Sequence, residues 1–188
     1  MTVKVFLVLI NYLMIMPQVE ETTPKLTIAD FTDKIVRSKW KVVNDDVMGG
    51  VSTSKISAGE DDALVFSGKV SLENNVGFAS LRSPIDDYNF SDYEGFVIKI
   101  KGDGKTYNLS FRQTKNFTGY NYTQKFQTEK DKWQIVILPF KDFKLKYYGR
   151  EVNNSEPPDK STIKQISILI SDKQQGPFRT EIEWISLY

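Results

Sequence analysis

Three pairs of adjacent aspartates are the residues whose type and spacing first suggest catalysis. They are Asp45 with Asp46, Asp61 with Asp62, and Asp86 with Asp87. Glycoside hydrolysis, the usual chemistry of paired carboxylates, needs two carboxyl groups about 5–9 Å apart that face one bond. Neighbours along an extended chain point to opposite faces, and aspartate is a favoured turn residue. Adjacency therefore predicts turn and capping roles for these pairs.

Cysteine and histidine are both missing from the 188-residue sequence. This excludes thiol nucleophiles, disulfide bonds, thiolate or imidazole metal sites, and Ser-His-Asp catalysis. An oxygen-ligated calcium site stays open, but the spacing of the acidic residues does not match an EF-hand loop. We predict no cofactor, no metal site and no enzymatic activity, with a glycan-active enzyme that uses lone carboxylates or a tyrosine as a minor alternative.

Two arginines and a group of aromatic residues are the candidates for binding. Arg82 and Arg112 each end a strand-like segment, where a guanidinium can pair with a carboxylate or bind an acidic or hydroxylated ligand. We expect Arg82 to form a structural ion pair with Asp45 or Asp46. The aromatic group can stack on sugar rings, form a partner's hot spot, or simply pack in the core; it comprises Phe117, Tyr120, Tyr122, Tyr147 and Tyr148. The candidate binding residues are Asp45, Asp46, Arg82, Arg112, Tyr120 and Tyr122.

The elements that must position these residues are β-strands. Apolar residues recur with a period of two, as in Tyr107, Leu109 and Phe111, and turn signals separate the runs. The pattern predicts about eight to ten strands and an all-β, antiparallel β-sandwich or a barrel. The triplet Gly104-Lys105-Thr106 imitates a phosphate-binding loop, but the required earlier glycine is Lys99 and a strand follows. We therefore predict a glycine-rich hairpin turn there.

Composition predicts one packed domain after a separate amino-terminal segment. Hydrophobic residues make up 40% of the chain, and 25 basic residues nearly balance 24 acidic ones, so no nucleic-acid partner is expected. Residues 1–17 contain an apolar run too short to span a membrane, which resembles a signal or anchoring leader; the alternative is an extra buried strand or helix of the domain. This favours an exported or membrane-tethered protein, with a cytoplasmic protein as the alternative. Residues 18–27 are predicted as a linker and residues 28–188 as the domain.

Two blocks resemble the complex I intermediate-associated protein 30 family, named for assembly factors of NADH:ubiquinone oxidoreductase. They are WKVVNDDVMGGVSTSKI at 40–56 and FSGKVSLENNVGFASLRS at 66–83, and later segments agree in order as far as the closing EIEWISLY. The resemblance covers about residues 28–188. One departure is Val76, where the family usually has a second glycine before Gly77.

The resemblance implies a galactose-binding-like jelly roll and a non-enzymatic assembly role. Such a protein acts through contact with a protein partner, possible partners being subunits of a membrane complex. The alternative is a carbohydrate-binding β-sandwich domain of an exported bacterial protein, which the tyrosines and the jelly roll suggest. The motif blocks alone do not decide between these functions, because a motif that builds a fold need not bind a ligand.

Overall fold

Two antiparallel sheets form the framework of the part of the chain described by this computed structural model, residues 23–188. The six-stranded sheet has the order β3 (Thr53–Ala58), β4 (Leu64–Val70), β13 (Gly176–Leu187), β6 (Gly95–Lys101) and β9 (Trp133–Pro139), with β1 (Leu26–Asp30) also paired to β13. The seven-stranded sheet has the order β11 (Arg150–Glu151), β10 (Lys144–Tyr147), β8 (Tyr120–Gln127), β7 (Thr106–Arg112), β12 (Gln165–Ile170), β5 (Ala79–Arg82) and β2 (Lys41–Asn44). The predicted antiparallel β-sandwich is confirmed.

Helix is nearly missing from residues 23–188. The one α-helix there is α1 (Lys34–Lys39), which begins after Asp33, whose carboxylate accepts a hydrogen bond from the Ile35 N–H at 2.7 Å. This side chain satisfies a backbone donor that the first turn leaves free. Within the same residues, no helix combines the length and the apolar character needed to cross a membrane.

The core lies between the two sheets and follows the predicted period of two. Leu109 and Phe111 on β7 and Ile166 and Ile168 on β12 are buried, at 1% exposure or less. Four phenylalanines pack together in the core, with ring centroids 5.0 to 6.2 Å apart: Phe96, Phe111, Phe140 and Phe143. Alternation is reliable here because each strand has one face toward the core and one toward solvent.

Three details differ from the sequence-based expectations. The described residues form thirteen strands rather than eight to ten, because strands as short as β11 leave no readable periodic pattern. The strand β1 already includes Leu26 and Thr27, which the pattern placed in the linker. The predicted hairpin at residues 104–106 is wrong, since the strands that flank it, β6 and β7, belong to different sheets. The predicted leader, residues 1–17, lies outside the described residues.

Candidate functional site

The candidate site is a groove on the face of the seven-stranded sheet that points away from the core. We call it the sheet groove and define it by Ser80 and Arg82 on β5, Leu169 on β12, Ser110 and Arg112 on β7, and Asn121 on β8. Their sequence neighbours, such as Leu81 and Leu109, are fully buried on the opposite face. Alternation along four adjacent strands therefore assembles the groove.

Small side chains form the floor of the sheet groove. Ser110 lies opposite Ser167 on one side and Thr123 on the other, and the Ser110 and Thr123 hydroxyls are hydrogen-bonded at 2.8 Å. Ser167 also lies opposite Arg82 in the register of β12 with β5. Because the floor side chains are short, the longer arginine side chains extend beyond them along the groove.

Arg82 and Arg112 are both half-buried and have no ion pair among residues 23–188. Burial lowers the pKa of Arg82, and the charge of Arg112 lowers it further. Burial also lowers the pKa of Arg112, whose buried Nε atom has no hydrogen-bond partner. The Nε of Arg82 donates to the Ser80 hydroxyl at 3.0 Å, which fixes its orientation. Two like charges thus face the same groove.

The predicted ion pair between Arg82 and Asp45 or Asp46 is wrong. Asp45 is fully buried and accepts from the Ser52 N–H at 2.8 Å, the Ser52 hydroxyl at 2.6 Å and the Phe78 N–H at 3.1 Å. Both of its oxygens are therefore occupied without an arginine. Asp46 is exposed and has no ion pair in the described residues. Neither aspartate lines the sheet groove.

Gly50 belongs to the same locked loop. A β-carbon added at Gly50 would lie 2.3 Å from the Asp45 Cγ and 2.5 Å from the Val76 Cγ2, so only glycine fits without a shift. The loop from Asp45 to Ser52 is thereby packed against the segment around Phe78. These contacts assign the two recognisable motif blocks a structural role.

The two candidate tyrosines differ in their surroundings. Tyr122 is buried at 7% exposure, stacks on Phe111 with centroids 5.5 Å apart, and donates from its hydroxyl to the Glu156 carbonyl at 2.9 Å. Tyr122 therefore packs in the core, and the binding role expected for it stays a prediction. Tyr120 is 46% exposed because it starts β8 at the edge of the core, and it lines the sheet groove.

Exposed aromatic rings continue from Tyr120 along one end of the groove. The centroids of Tyr120 and Tyr147 are 4.6 Å apart, those of Tyr147 and Tyr148 are 4.7 Å apart, and those of Tyr148 and Phe117 are 5.8 Å apart. We call these four residues the aromatic rim. Beside it the groove widens into a cavity of about 420 Å³, which Arg82, Phe117 and Tyr148 also line. The rim and the arginines therefore belong to one continuous surface.

The charged, polar and aromatic groups of this surface are of types that suit the binding of a ligand. Asp172, an acidic residue that lines the wide section, is already paired with Lys125 at 2.8 Å. Residues 23–188 contain no group of three or more acidic residues placed to hold a metal ion. Two guanidinium groups, several hydroxyls and exposed rings suit an oxyanion or a hydroxylated ligand flanked by apolar groups. Sequence reasoning missed Ser80, Ser110, Asn121 and Leu169, whose one available signal was alternation with buried neighbours.

Comparisons with known proteins place the chain in a family. Residues 29–182 match the family model for complex I intermediate-associated protein 30. The mouse (Mus musculus) mitochondrial protein of that name is 28% identical over 180 residues, covering 84% of this chain and 54% of the mouse protein. The Drosophila melanogaster protein is 26% identical over 181 residues, covering 84% of this chain and 61% of its own length. The chain thus spans little more than half the length of these relatives.

Solved structures confirm the galactose-binding-like β-sandwich. A family 11 carbohydrate-binding module of a Clostridium thermocellum cellulosomal cellulase superposes with a TM-score of 0.62 at 15% identity, over 88% of this chain and 94% of the module. The agarase AgWH50C superposes with a TM-score of 0.57 at 11% identity, over 86% of this chain and 26% of the enzyme. At such low identity the likeness concerns the fold alone.

Proposed function

The chain belongs to the complex I intermediate-associated protein 30 family, and on that premise we propose that it is a non-enzymatic binding module for complex I assembly. It acts by contacting a protein partner, a subunit of the membrane complex or of an assembly intermediate. The relatives' names, which refer to association with complex I intermediates, support the assembly role.

The observation that carries this proposal is the composition of the groove and its rim. Tyrosine, phenylalanine, methionine and arginine are enriched at the cores of protein interfaces. All four meet here: Phe117 is 56% exposed, Tyr148 is 52% exposed, and Met48, which lines the same wide section, is 52% exposed. Exposed rings beside half-buried arginines are the usual composition of binding hot spots.

The lack of carboxylates in the central section of the sheet groove supports a non-enzymatic role. The residues that line its central section are serine, arginine, aromatic, amide and leucine side chains, with no carboxylate among them. General acid–base catalysis would need a titratable group near neutrality, and arginine stays protonated there. Binding without turnover is the function that these side chains support.

The proposal is tested by purifying the tagged chain from membranes of its native host and measuring co-purifying proteins by quantitative mass spectrometry. We expect NADH:ubiquinone oxidoreductase subunits to be enriched with the unaltered chain and lost with the double variant Phe117→Ala, Tyr148→Ala. The matched control is Ile135→Ala, since Ile135 is 52% exposed on the other sheet. Equal enrichment by the double variant, or no enrichment of these subunits, would overturn the proposal.

Carbohydrate binding is a second candidate, favoured by the exposed rings of Tyr120 and Tyr147. Their centroids are 4.6 Å apart and their planes are inclined by 38°, which offers a ring surface beside the groove. Sugar rings stack on such surfaces through their apolar faces. Titration with a β-1,3-1,4-linked tetrasaccharide, followed by tyrosine fluorescence, decides this candidate: saturable quenching that Tyr120→Ala abolishes supports it, and an unchanged signal rejects it.

A further inference from the structure

Arg82 and Arg112 face one groove without an acidic partner in the described part of the chain, unlike two partly buried lysines on the other sheet. Lys99 pairs with Glu183 at 2.7 Å, and Lys101 pairs with Glu181 at 2.9 Å. Leaving a half-buried charge unneutralised is unfavourable, because burial removes water that would otherwise solvate it. The two arginines repel each other as well, so the unliganded groove holds excess positive charge.

The hydrogen bonds of the groove hold one arginine in place and leave donors of the other unused. The Ser80 hydroxyl donates to the Val43 carbonyl at 2.7 Å and accepts from the Arg82 Nε at 3.0 Å, so Arg82 is fixed by a chain of bonds to β2. The buried Nε of Arg112 has no partner. A negatively charged group in the groove would offset the charges of both arginines and could accept hydrogen bonds from their accessible guanidinium N–H groups.

The dimensions of the groove restrict that group. The central section between the arginines has a volume of about 80 Å³, which suits a group of a few atoms. Phe117, Tyr120 and Leu169 line the same section and can contact the apolar atoms that flank such a group. Guanidinium groups bind carboxylates through paired hydrogen bonds in a fixed planar geometry.

We propose that Arg82 and Arg112 together bind the carboxylate of an acidic side chain from the partner protein, while the aromatic rim contacts the neighbouring apolar residues. This inference rests on the proposed function and names the chemistry of its partner. The partner segment would enter the groove with an aspartate or glutamate next to an apolar residue. The partner's carboxylate would then neutralise the positive charge that makes Arg82 and Arg112 repel each other in the free protein.

The test uses the side-chain Nε–Hε NMR signals of the five arginines in the full chain. Sodium acetate, acetamide and inorganic phosphate are titrated separately at constant ionic strength. We expect acetate to shift the Arg82 and Arg112 signals together with one millimolar-range dissociation constant, and acetamide to shift neither. Arg37 and Arg179, which are paired with Asp62 and Glu181, serve as internal controls and should not move.

Two variants distinguish specific acetate binding at Arg82 and Arg112 from general electrostatic attraction of the anion to the protein. Arg112→Gln should weaken acetate binding at Arg82 about tenfold or more, because charge-assisted hydrogen bonds are lost. Arg179→Gln, which also removes one positive charge, should leave the acetate affinity unchanged. If Arg112→Gln does not fold, the titration of the unaltered chain still decides the question.

Three results would overturn the inference: no shift of either arginine, equal shifts with acetamide, or phosphate binding more than tenfold tighter than acetate. The last result would assign the site to a phosphate group instead. The titration needs no partner protein. Its failure therefore leaves the assembly proposal standing, and failure of subunit enrichment leaves the measured anion site standing.

Discussion

The Asp45 carboxylate accepts a hydrogen bond from the backbone N–H of Phe78, 33 residues later in the chain, at 3.1 Å. The same carboxylate accepts two further bonds from Ser52, so one buried side chain joins the two motif blocks. The segment that it holds leads directly into β5, which carries Ser80 and Arg82. Asp45 therefore helps to position β5, and with it part of the sheet groove, without lining the groove.

Replacing Asp45 should be strongly destabilising. Asp45→Ala leaves the buried N–H of Ser52 and the partly buried N–H of Phe78 without acceptors, and each such loss costs about 1–3 kcal/mol. We expect a loss of about 3–5 kcal/mol in the free energy of unfolding, which corresponds to a fall of roughly 6–20 °C in Tm. Thermal melting measures this, with the exposed neighbour Asp46→Ala as the control, expected within about 2 °C of the unaltered chain. Similar melting of the two variants would contradict the structural role of Asp45.

Replacing Arg112 should leave stability unchanged or improve it. Arg112→Gln removes a half-buried positive charge that repels Arg82 and whose Nε has no hydrogen-bond partner. We expect a Tm equal to that of the unaltered chain or up to about 3 °C higher, since binding residues are often unfavourable for stability. Arg37→Gln is the matched comparison and should lower Tm, because Arg37 donates to the Phe31 carbonyl at 2.6 Å. A fall of more than about 5 °C for Arg112→Gln, beyond the usual surface effect, would identify Arg112 as a structural residue.

The two tyrosines of β8 should separate stability from binding. Tyr122→Ala removes a core ring that stacks on Phe111, and we expect a loss of about 3–5 kcal/mol in the free energy of unfolding. Tyr120→Ala removes an exposed ring and should change it by less than about 1 kcal/mol while weakening partner capture. Urea denaturation of both variants measures the difference. Strong destabilisation by Tyr120→Ala would place that residue in the core instead.

Alkaline pH should destabilise the protein in part through Tyr107. Burial raises the pKa of Tyr107 above the ordinary value of 10. The nearby Asp103 carboxylate, which accepts a hydrogen bond from the Tyr107 hydroxyl, raises this pKa further. Because this pKa is raised in the folded state, the contribution of Tyr107 to stability is fully present below about pH 10. Above about pH 10 the tyrosine ionises in the unfolded chain first, so the free energy of unfolding falls by about 1.4 kcal/mol per pH unit.

Tyr107→Phe isolates this contribution, because phenylalanine cannot ionise. The variant should be about 1 kcal/mol less stable at pH 8, through loss of the hydrogen bond to Asp103, and should lose less stability than the unaltered chain between pH 10 and pH 11. Urea denaturation at the three pH values provides the comparison. Parallel pH profiles would show that Tyr107 does not contribute.

The strands could be predicted from the sequence because the alternation of apolar and polar residues within each strand reflects which residues are buried. Leu109 and Phe111 alternate with polar residues, and that alternation reflects one face in the core and one in solvent. Sheet membership is not encoded so locally: β6 and β7 follow one another across Gly104 yet join different sheets. The hairpin prediction failed for that reason.

The site was only partly predictable. Arg82 and Arg112 were identified as binding candidates, but their shared groove depends on β12 lying between β5 and β7, a pairing that sequence patterns do not reveal. The prediction of an ion pair for Arg82 failed because backbone N–H groups already donate hydrogen bonds to the Asp45 carboxylate. Such bonds leave no pattern in the sequence. Tyr120 and Tyr122 both lie on β8, and the position of the core's edge decides which of them is exposed.

Site-specific photo-crosslinking in the native host tests the central claim most directly. A benzophenone amino acid is introduced at Phe117 on the aromatic rim, and in a parallel sample at Ile135, which is 52% exposed on the opposite sheet. The account predicts that the probe at position 117 forms a covalent adduct with a subunit of NADH:ubiquinone oxidoreductase or of its assembly intermediate, and that Arg112→Gln reduces the yield. Adducts of equal yield from positions 117 and 135, or none from position 117, would contradict it.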